Sequence, residues 1–238
     1  MTVGEFTYTR TFPAVNLWQT AYFPFEIPVE VLVNKGYEVG YFYDIHFEFN
    51  DGEINMQNNP DLHIMKVKSG TLRANYPYVI KPTAEADLNL VLEFENIVLH
   101  SVNDMKTVES SSTVHTFEFA GLYKGTSCSD FAGDAPCYTI TTKGEFKKIA
   151  KTVSSLPSLR VYMTIKAKDG EPVIFNETNA PEYIRMRVIG EENEDGTTTI
   201  YDVNAEEAEE MIFDLSGRRV LETEKGIYIK NGKKVLVK

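Results

Sequence analysis

The sequence predicts an all-β protein: an antiparallel β-sandwich body followed by a small C-terminal β module. Apolar and polar residues alternate with a period of two in residues 38–49, 88–95 and 161–167, as in half-buried strands. In residues 38–49 this alternation predicts one face holding Val39, Tyr41, Tyr43, Ile45, Phe47 and Phe49. Turn-forming pairs that end in glycine separate such runs, at residues 51–52, 169–170, 195–196 and 231–232.

Helical patterns are scarce. Residues 28–35 begin with a proline that suits the first turn of a helix and predict one or two helical turns. Residues 147–155 predict a short helix that stops before Pro157. Residues 204–210 begin with an N-cap residue followed by acidic side chains, which favour the positive end of a helix dipole. Strands therefore dominate the predicted fold.

Composition excludes several classes of protein. The chain has 238 residues, 42% of them hydrophobic, and a formal net charge of −11. That apolar content suits a globular protein with one large or two smaller cores. The acidic balance argues against nucleic acid or an anionic membrane as the main partner. No apolar run approaches the 18 or so residues of a transmembrane helix, so no transmembrane segment is predicted.

Charge divides the chain into three predicted parts. Residues 191–210 contain nine acidic residues and no Lys or Arg, whereas residues 217–238 contain seven basic and two acidic residues. We interpret residues 1–190 as the β-sandwich body, 191–210 as a solvated acidic linker, and 211–238 as the C-terminal β module.

The two cysteines, Cys128 and Cys137, lie in one segment rich in Gly, Asp, Ser and Pro. Such a composition predicts a surface loop, in which the pair is a candidate disulfide; two unrelated thiols are the alternative. A disulfide would indicate an oxidising compartment. Residues 1–6 show no signal-peptide pattern, so either the protein stays inside the cell or an export signal has been removed. The two cysteines favour the interpretation that an export signal has been removed.

Aromatic side chains provide candidates for carbohydrate binding, because exposed Trp and Tyr rings can stack on sugars. The candidates are Trp18, Tyr76 and Tyr78. Around Trp18 both parities of the strand are apolar, which favours a strand covered on both sides and a core role for this side chain. Tyr76 and Tyr78 flank Pro77, and the pattern leaves stacking and packing both open.

No catalytic residues are predicted, since the chain has no nucleophile elbow, no paired Ser/Lys motif and no glycine-rich phosphate loop. No cofactor is expected. Asp44, His46 and Glu48 share one face of a strand and form a weak metal-ligand candidate. Alternation alone predicts polar residues at these positions, so a solvated polar face is the favoured explanation and no metal site is predicted.

The C-terminal residues carry a specific resemblance. Residues 211–220 (MIFDLSGRRV) and 225–238 (KGIYIKNGKKVLVK) resemble the C-terminal module of many secreted and cell-surface proteins of Bacteroidota. That module has the pattern "(I/V)YDLxGR(R/K)V … KG(I/L)YIxNGKKVxxK" and is similar to shorter variants of the sorting domains of type IX secretion. Three short strands with turns at 216–217 and 231–232 are the matching structural expectation.

Body segments resemble a domain of the same surface proteins, in residues 6–12 (FTYTRTF), 18–27 (WQTAYFPFEI) and 69–82 (SGTLRANYPYVIKP). The resemblance implies an exported, non-enzymatic protein of the cell envelope, outside the cytoplasm, that attaches to or recognises a surface glycan or protein. Two alternatives remain: a glycan-binding module of a polysaccharide-uptake system, and a hydrolase whose site is not visible in the sequence. Oligomeric state and ligand stay open.

Overall fold

The structure is a computed structural model that describes residues 1–46, 49–50, 53–54, 61–101, 115–153, 155–169, 175–192 and 198–202, with shorter segments at 212–213, 219–220, 226–230 and 233–237. Within these residues strands dominate, and the all-β prediction is confirmed.

The strands of the first half are β1 (Thr2–Thr11), β2 (Gln19–Tyr22), β3 (Ile27–Pro28), β4 (Tyr37–His46), β5 (Phe49–Asn50), β6 (Glu53–Ile54), β7 (Asp61–Val67), β8 (Thr71–Leu72), β9 (Pro77–Pro82) and β10 (Asn89–Val98). Those of the second half are β11 (His115–Leu122), β12 (Cys137–Ile140), β13 (Phe146–Lys148), β14 (Arg160–Ala167), β15 (Tyr183–Glu192), β16 (Thr198–Asp202), β17 (Ile212–Phe213), β18 (Arg219–Val220), β19 (Gly226–Lys230) and β20 (Lys233–Val237). The helices are α1 (Val29–Val33) and α2 (Cys128–Ala132).

A ten-stranded sheet forms the body, in the order β11-β14-β12-β13-β15-β7-β4-β9-β2, with β16 paired to β15. All of its pairs are antiparallel except β15–β7, which is parallel. The sheet is therefore mixed rather than purely antiparallel. A parallel pair needs a long connection, and more than a hundred residues separate β7 from β15 in the sequence.

The two ends of this sheet meet, since β2 contacts both β14 and β11. The sheet is thus nearly closed around an interior core. That core is rich in aromatic side chains, including Trp18, Tyr22, Phe42, Phe117, Phe119, Tyr138 and Phe146.

A second layer covers the outer face of β2, β9 and β4. It is the antiparallel ribbon of β1 and β10, and its apolar side chains form a second core with the outer face of the sheet. Neighbouring residues therefore point into different cores: Tyr22 packs in the interior core and Ala21 in the outer core. Val79 and Ile80 divide in the same way. A strand covered on both faces has apolar residues on both parities, as predicted around Trp18.

The helices differ in part from the sequence expectation. α1 follows Pro28 as predicted, but the predicted helix at 147–155 is wrong, because Lys147 and Lys148 belong to β13 and pair with β12. Its β-branched residues gave a weak helix propensity, and strand pairing outweighs it. α2 was not predicted; the Asp130 N–H donates to Ser127 Oγ at 3.0 Å and caps it. The predicted helix at 204–210 lies outside the described residues.

The predicted linker begins too early at residue 191. β15 continues to Glu192, and β16 pairs with it across Glu191–Thr199 and Glu192–Thr198. The first part of the acidic stretch is therefore built into the body sheet. Residues 203–210 lie outside the described residues.

The C-terminal residues form a separate four-stranded antiparallel sheet in the order β18-β17-β19-β20. Four short strands replace the three expected from the resemblance. The strand character expected of this region is present in its described residues.

Candidate functional site

Trp18 is not available for sugar stacking. Its side chain is 2% exposed and packs in the interior core. The Nζ of Lys81 lies 5.1 Å from the centroid of the Trp18 ring, a cation–π contact that further occupies the indole. The glycan-stacking role considered for Trp18 is therefore wrong, and the core role is correct.

Tyr76 directly precedes β9 and Tyr78 is its second residue, and the two side chains differ in exposure. Their ring centroids are 5.1 Å apart. Tyr78 is 5% exposed, and its hydroxyl accepts a hydrogen bond of 2.9 Å from the backbone N–H of Arg73. Tyr76 is half-buried. Tyr78 therefore supports the position of Tyr76, and Tyr76 is the ring of this pair with an accessible surface.

Two further tyrosines, Tyr41 and Tyr43, lie on β4, and a β-bulge places Tyr43. Phe42 pairs with Ile64 and Asp44 pairs with His63, so Tyr43 is an extra residue in β4. A bulge re-aims the side chains around it. Tyr43 is 51% exposed, and its ring centroid lies 6.4 Å from that of Tyr41 in an edge-to-face arrangement.

The bulge also corrects the alternation predicted for residues 38–49. Phe42 and Ile45 both pack in the interior core, although their spacing would place them on opposite faces of a regular strand. Val39 packs in the outer core, with Tyr41 at its edge. The residues predicted to share one face therefore lie on two faces, because the extra residue in the bulge reverses the in–out alternation after it.

Strand pairing joins the two tyrosine pairs. Tyr41 in β4 is the direct cross-strand partner of Tyr78 in β9, and direct partners have Cβ atoms about 5 Å apart. We call Tyr41, Tyr43, Tyr76 and Tyr78 the tyrosine cluster. Tyr41, Tyr76 and Tyr78 belong to the outer core, and Tyr43 is the most exposed member of the cluster.

Burial affects the acidity of two phenols in the tyrosine cluster, those of Tyr76 and Tyr78. Burial raises the pKa of both Tyr76 and Tyr78 above the ordinary value of 10.0, and the Arg73 guanidinium partly opposes this rise. The guanidinium carbon of Arg73 lies 5.9 Å from the Tyr76 ring centroid. The site therefore combines apolar ring faces, neutral hydroxyl groups and one cation.

The loop that carries Arg73 and Tyr76 is fixed by Asn75. This residue is fully buried and adopts a left-handed backbone with φ of 57°, a conformation that Asn tolerates better than most residues. Its N–H donates to the Phe23 carbonyl at 2.8 Å, and its side-chain amide donates to the Ser101 carbonyl at 2.7 Å. Tyr76 is thereby held on a rigid support.

Sequence reasoning identified Tyr76 and Tyr78 but not Tyr41 and Tyr43 as site residues. The sequence signal that relates the two pairs is a repeated Tyr-x-Tyr triplet, at 41–43 and 76–78. Only the pairing of β4 with β9 places them together.

Cys128 and Cys137 are not on a surface loop. Cys128 begins α2, Cys137 begins β12, and both side chains are fully buried free thiols. The two thiols are in hydrogen-bonding contact, and burial together with this contact raises the pKa of Cys137. The surface-loop prediction is wrong because Leu156 and Tyr162 cover the pair in a small core of its own. The predicted disulfide is not formed in this structure.

The weak metal candidate is only partly described. The Asp44 carboxylate accepts a hydrogen bond of 2.8 Å from the N–H of Ile45. Glu48 and the side chain of His46 lie outside the described residues. Among the side chains that the structure describes, no group of three or more His, Cys, Asp or Glu residues is arranged to hold a metal ion.

Two open clefts flank other parts of the body. One, of about 490 Å³, is lined in part by Thr139, Thr141, Lys148 and Glu177. Lys148 Nζ donates to the carbonyls of Glu177 at 2.8 Å and Ala180 at 3.0 Å, which ties this cation to the fold. The other cleft, of about 460 Å³, borders the C-terminal end of α1 and includes Asn34, Glu85 and Asp87.

Both described helices are only five residues long, and none in the described part of the chain has the length and apolar character needed to cross a membrane. No protein-family model matches the chain, and neither a curated protein nor a solved structure matches it significantly.

Proposed function

We propose that this protein is a non-enzymatic recognition module that binds carbohydrate at the tyrosine cluster. The observation that carries the proposal is the bulge at Tyr43, which leaves this ring 51% exposed and in edge-to-face contact with Tyr41. Bulges are common beside binding sites, where they re-aim a side chain.

The chemistry of the cluster suits a sugar. A pyranose has an apolar face that stacks on aromatic rings and hydroxyl groups that exchange hydrogen bonds with polar groups at the ring edges. Tyr43 and Tyr76 offer ring surface, and Arg73 beside Tyr76 offers donors to sugar oxygens. Asn75 and Tyr78 hold these groups in place, so little conformational entropy is lost on binding.

We place this recognition at the cell envelope, as an exported attachment protein. The support for that location is the resemblance of residues 211–238 to the C-terminal module of Bacteroidota surface proteins. Protease treatment of intact cells that carry the natural gene tests it. Digestion at the surface supports export, and full protection inside intact cells contradicts it.

A glycan array with the purified full chain tests carbohydrate binding, followed by calorimetry on the best ligand. Tyr43→Ala and Tyr76→Ala should each weaken binding about tenfold, or ~1.4 kcal/mol, as expected when a stacking ring is lost. Tyr183→Ala is the matched control, because Tyr183 is 39% exposed but lies on β15 outside the cluster.

Equal binding by all variants, or no glycan bound at all, would contradict the proposal. Release of reducing sugar from a bound glycan would contradict its non-enzymatic part. Thermal melting of each variant separates a lost ligand contact from a lost fold.

A further inference from the structure

One edge of β10 is open and lies beside a cleft. Among the described strands β10 pairs only with β1, so its second edge has no neighbouring strand there. The cleft of about 460 Å³ at the C-terminal end of α1 is lined in part by three consecutive residues of β10, Asn89, Leu90 and Val91. Consecutive side chains of a strand point to opposite faces. A cleft that touches all three residues therefore runs along the backbone edge of the strand.

The register of the β1–β10 ribbon shows which backbone groups face this open edge. The Phe12 N–H donates to the Leu88 carbonyl at 2.8 Å and so continues the pairing of β1 with β10. Hydrogen-bonded pairs alternate along an antiparallel ladder, so Asn89 and Val91 direct their N–H and C=O groups away from β1. The Asn89 N–H accordingly donates to Asp87 Oδ1, at 2.8 Å. Val91 therefore presents a backbone donor and a backbone acceptor to the cleft.

Two exposed valines lie on opposite sides of the cleft. Val33, at the end of α1, is 48% exposed, and Val91, on β10, is 39% exposed. An apolar side chain placed between them would remove part of both valines from water, which favours binding. The cleft thus offers apolar contacts beside the backbone groups of the open edge.

The charged side chains of the cleft are mainly acidic. Glu85 and Asp87 line it together with a single cation, Lys35, and all three side chains are exposed. None of the ion pairs between described residues involves either acid. Further along β10, Glu93 and Glu95 are also exposed, and the strand contains no Lys or Arg. The net charge of −11 on the whole chain adds to the attraction of a cationic partner.

We propose that the open edge of β10 binds an extended, basic peptide segment of a partner protein, which adds a third strand to the β1–β10 ribbon. In strand addition, main-chain hydrogen bonds supply affinity and side-chain contacts supply specificity. Val91 supplies the main-chain groups, and Glu85 and Asp87 pair with Lys or Arg of the partner. The edge of a second copy is a poorer partner, because it would bring acidic strands together, and opposed like charges are destabilising. This site does not depend on carbohydrate binding at the tyrosine cluster.

Fluorescence anisotropy of the full chain with labelled synthetic peptides tests the proposal. The probe is a short peptide in which valine alternates with lysine, and a matched probe carries glutamate in place of lysine. A third probe has the lysine sequence with methylated backbone nitrogens, which cannot donate main-chain hydrogen bonds. We expect the lysine peptide to bind, and the other two to bind at least roughly tenfold more weakly.

Variants at the open edge test the same contacts from the side of the protein. Glu85→Lys reverses a charge in the cleft and should weaken binding of the lysine peptide about fivefold. Val91→Pro removes an N–H that faces away from β1, so the ribbon is retained while the added strand loses a hydrogen bond, and affinity should fall about tenfold. Asp134→Lys is the matched control, because it reverses an exposed charge elsewhere on the body. Asp134→Lys and Tyr43→Ala should each leave peptide affinity within about twofold.

Failure of the unmodified chain to bind the lysine peptide would overturn the proposal. Equal affinity for the methylated peptide would also overturn it, since attraction by charge alone would then explain the binding. Equal affinity of Glu85→Lys and Asp134→Lys would have the same consequence. Sedimentation velocity tests the other occupant: dimers of the unmodified chain that Val91→Pro separates would assign the edge to a second copy instead. Glu85→Lys changes only an exposed side chain and keeps the test if Val91→Pro folds poorly.

Discussion

A Cβ atom placed on Gly121 would lie 2.1 Å from ring carbons of Tyr22. The ring of Tyr22 therefore lies directly over this glycine, at the point where β2 and β11 bring the two ends of the large sheet together. Tyr22 is fully buried there and also makes an edge-to-face contact with Tyr123, with centroids 5.2 Å apart. Closure of the sheet depends on a residue without a side chain at this position.

Replacing Gly121 with Ala should destabilise the protein by about 3 kcal/mol, because a buried ring must shift to admit the methyl group. Urea denaturation measures the change in the free energy of unfolding. Gly4→Ala is the matched control, since a Cβ on Gly4 meets nothing within 4 Å. If both variants unfold at the same urea concentration, the ends of the sheet do not meet as described. Gly121→Ala should cost less in a Tyr22→Ala background, where the ring is absent.

Asp61 links β7 to β15 across the parallel pair. One carboxylate oxygen lies 2.9 Å from Arg187 Nε and the other lies 3.2 Å from Arg185 Nε. The side chains are 19–30% exposed, so solvent weakens these ion pairs in part. Asp61→Asn should lower the free energy of unfolding by about 1–2 kcal/mol, since it leaves two cations without an acid.

Glu118→Gln provides the comparison for Asp61→Asn. It removes the partner of Lys166, whose side chain is 49% exposed. An exposed pair contributes less than about 1 kcal/mol. Denaturation at low and at high salt should show a larger loss of unfolding free energy for Asp61→Asn than for Glu118→Gln in both conditions. An equal loss in the two variants would mean that the parallel pair does not depend on Asp61.

His115 should make stability depend on pH below neutrality. The side chain is 1% exposed, with its ring centroid 4.9 Å from that of Phe175. Burial, and after it the charge of Lys168, lowers the pKa of His115 from 6.5. The unfolded chain therefore binds this proton more readily than the folded one. Stability from this group is complete above about pH 6.5 and falls as the pH drops further.

Unfolding free energies measured between pH 7.5 and 5.5 check the effect of His115, in a range above the titration of ordinary carboxylates. His115→Phe keeps an aromatic ring in the site and removes the proton. The variant should therefore show a flatter pH profile than the unmodified chain over this range. Parallel profiles would show that another group is responsible.

The thiols of Cys128 and Cys137 should be unreactive in the folded protein. Both are fully buried, and burial raises the pKa of Cys137, so the reactive thiolate is scarce. A thiol reagent should label the native chain at least roughly tenfold more slowly than a free cysteine. In denaturant without reductant the same reagent should label both thiols. Labelling only after reduction would show that the isolated protein carries the disulfide that the sequence suggested.

Local patterns predicted the strands and favoured the core role of Trp18. Alternation and glycine turns placed strands such as β4, β10 and β14, because both signals act between neighbouring residues. The apolar residues on both parities around Trp18 predicted a doubly covered strand, and two cores on opposite faces of β2 are the reason. The short helices were less predictable, since their stability comes from packing rather than propensity.

The candidate site depends on contacts between distant parts of the chain. Tyr41 and Tyr78 are cross-strand partners, although 37 positions separate them. A period-two pattern states which face a residue occupies but not which strand lies beside it. The bulge at Tyr43 likewise appears only in the register of β4 against β7, to which the sequence around residue 43 offers no local clue.

By itself, the sequence determined that this chain folds into strands and where most of them run, and it favoured a core role for Trp18, because these features depend on local periodicity and turn chemistry. Only the tertiary structure decided the parallel pair, the near closure of the sheet, the tyrosine cluster and the burial of Arg10 and of the two cysteines. Those features depend on strand order and register. Both are set by how the whole apolar surface packs, rather than by any one segment.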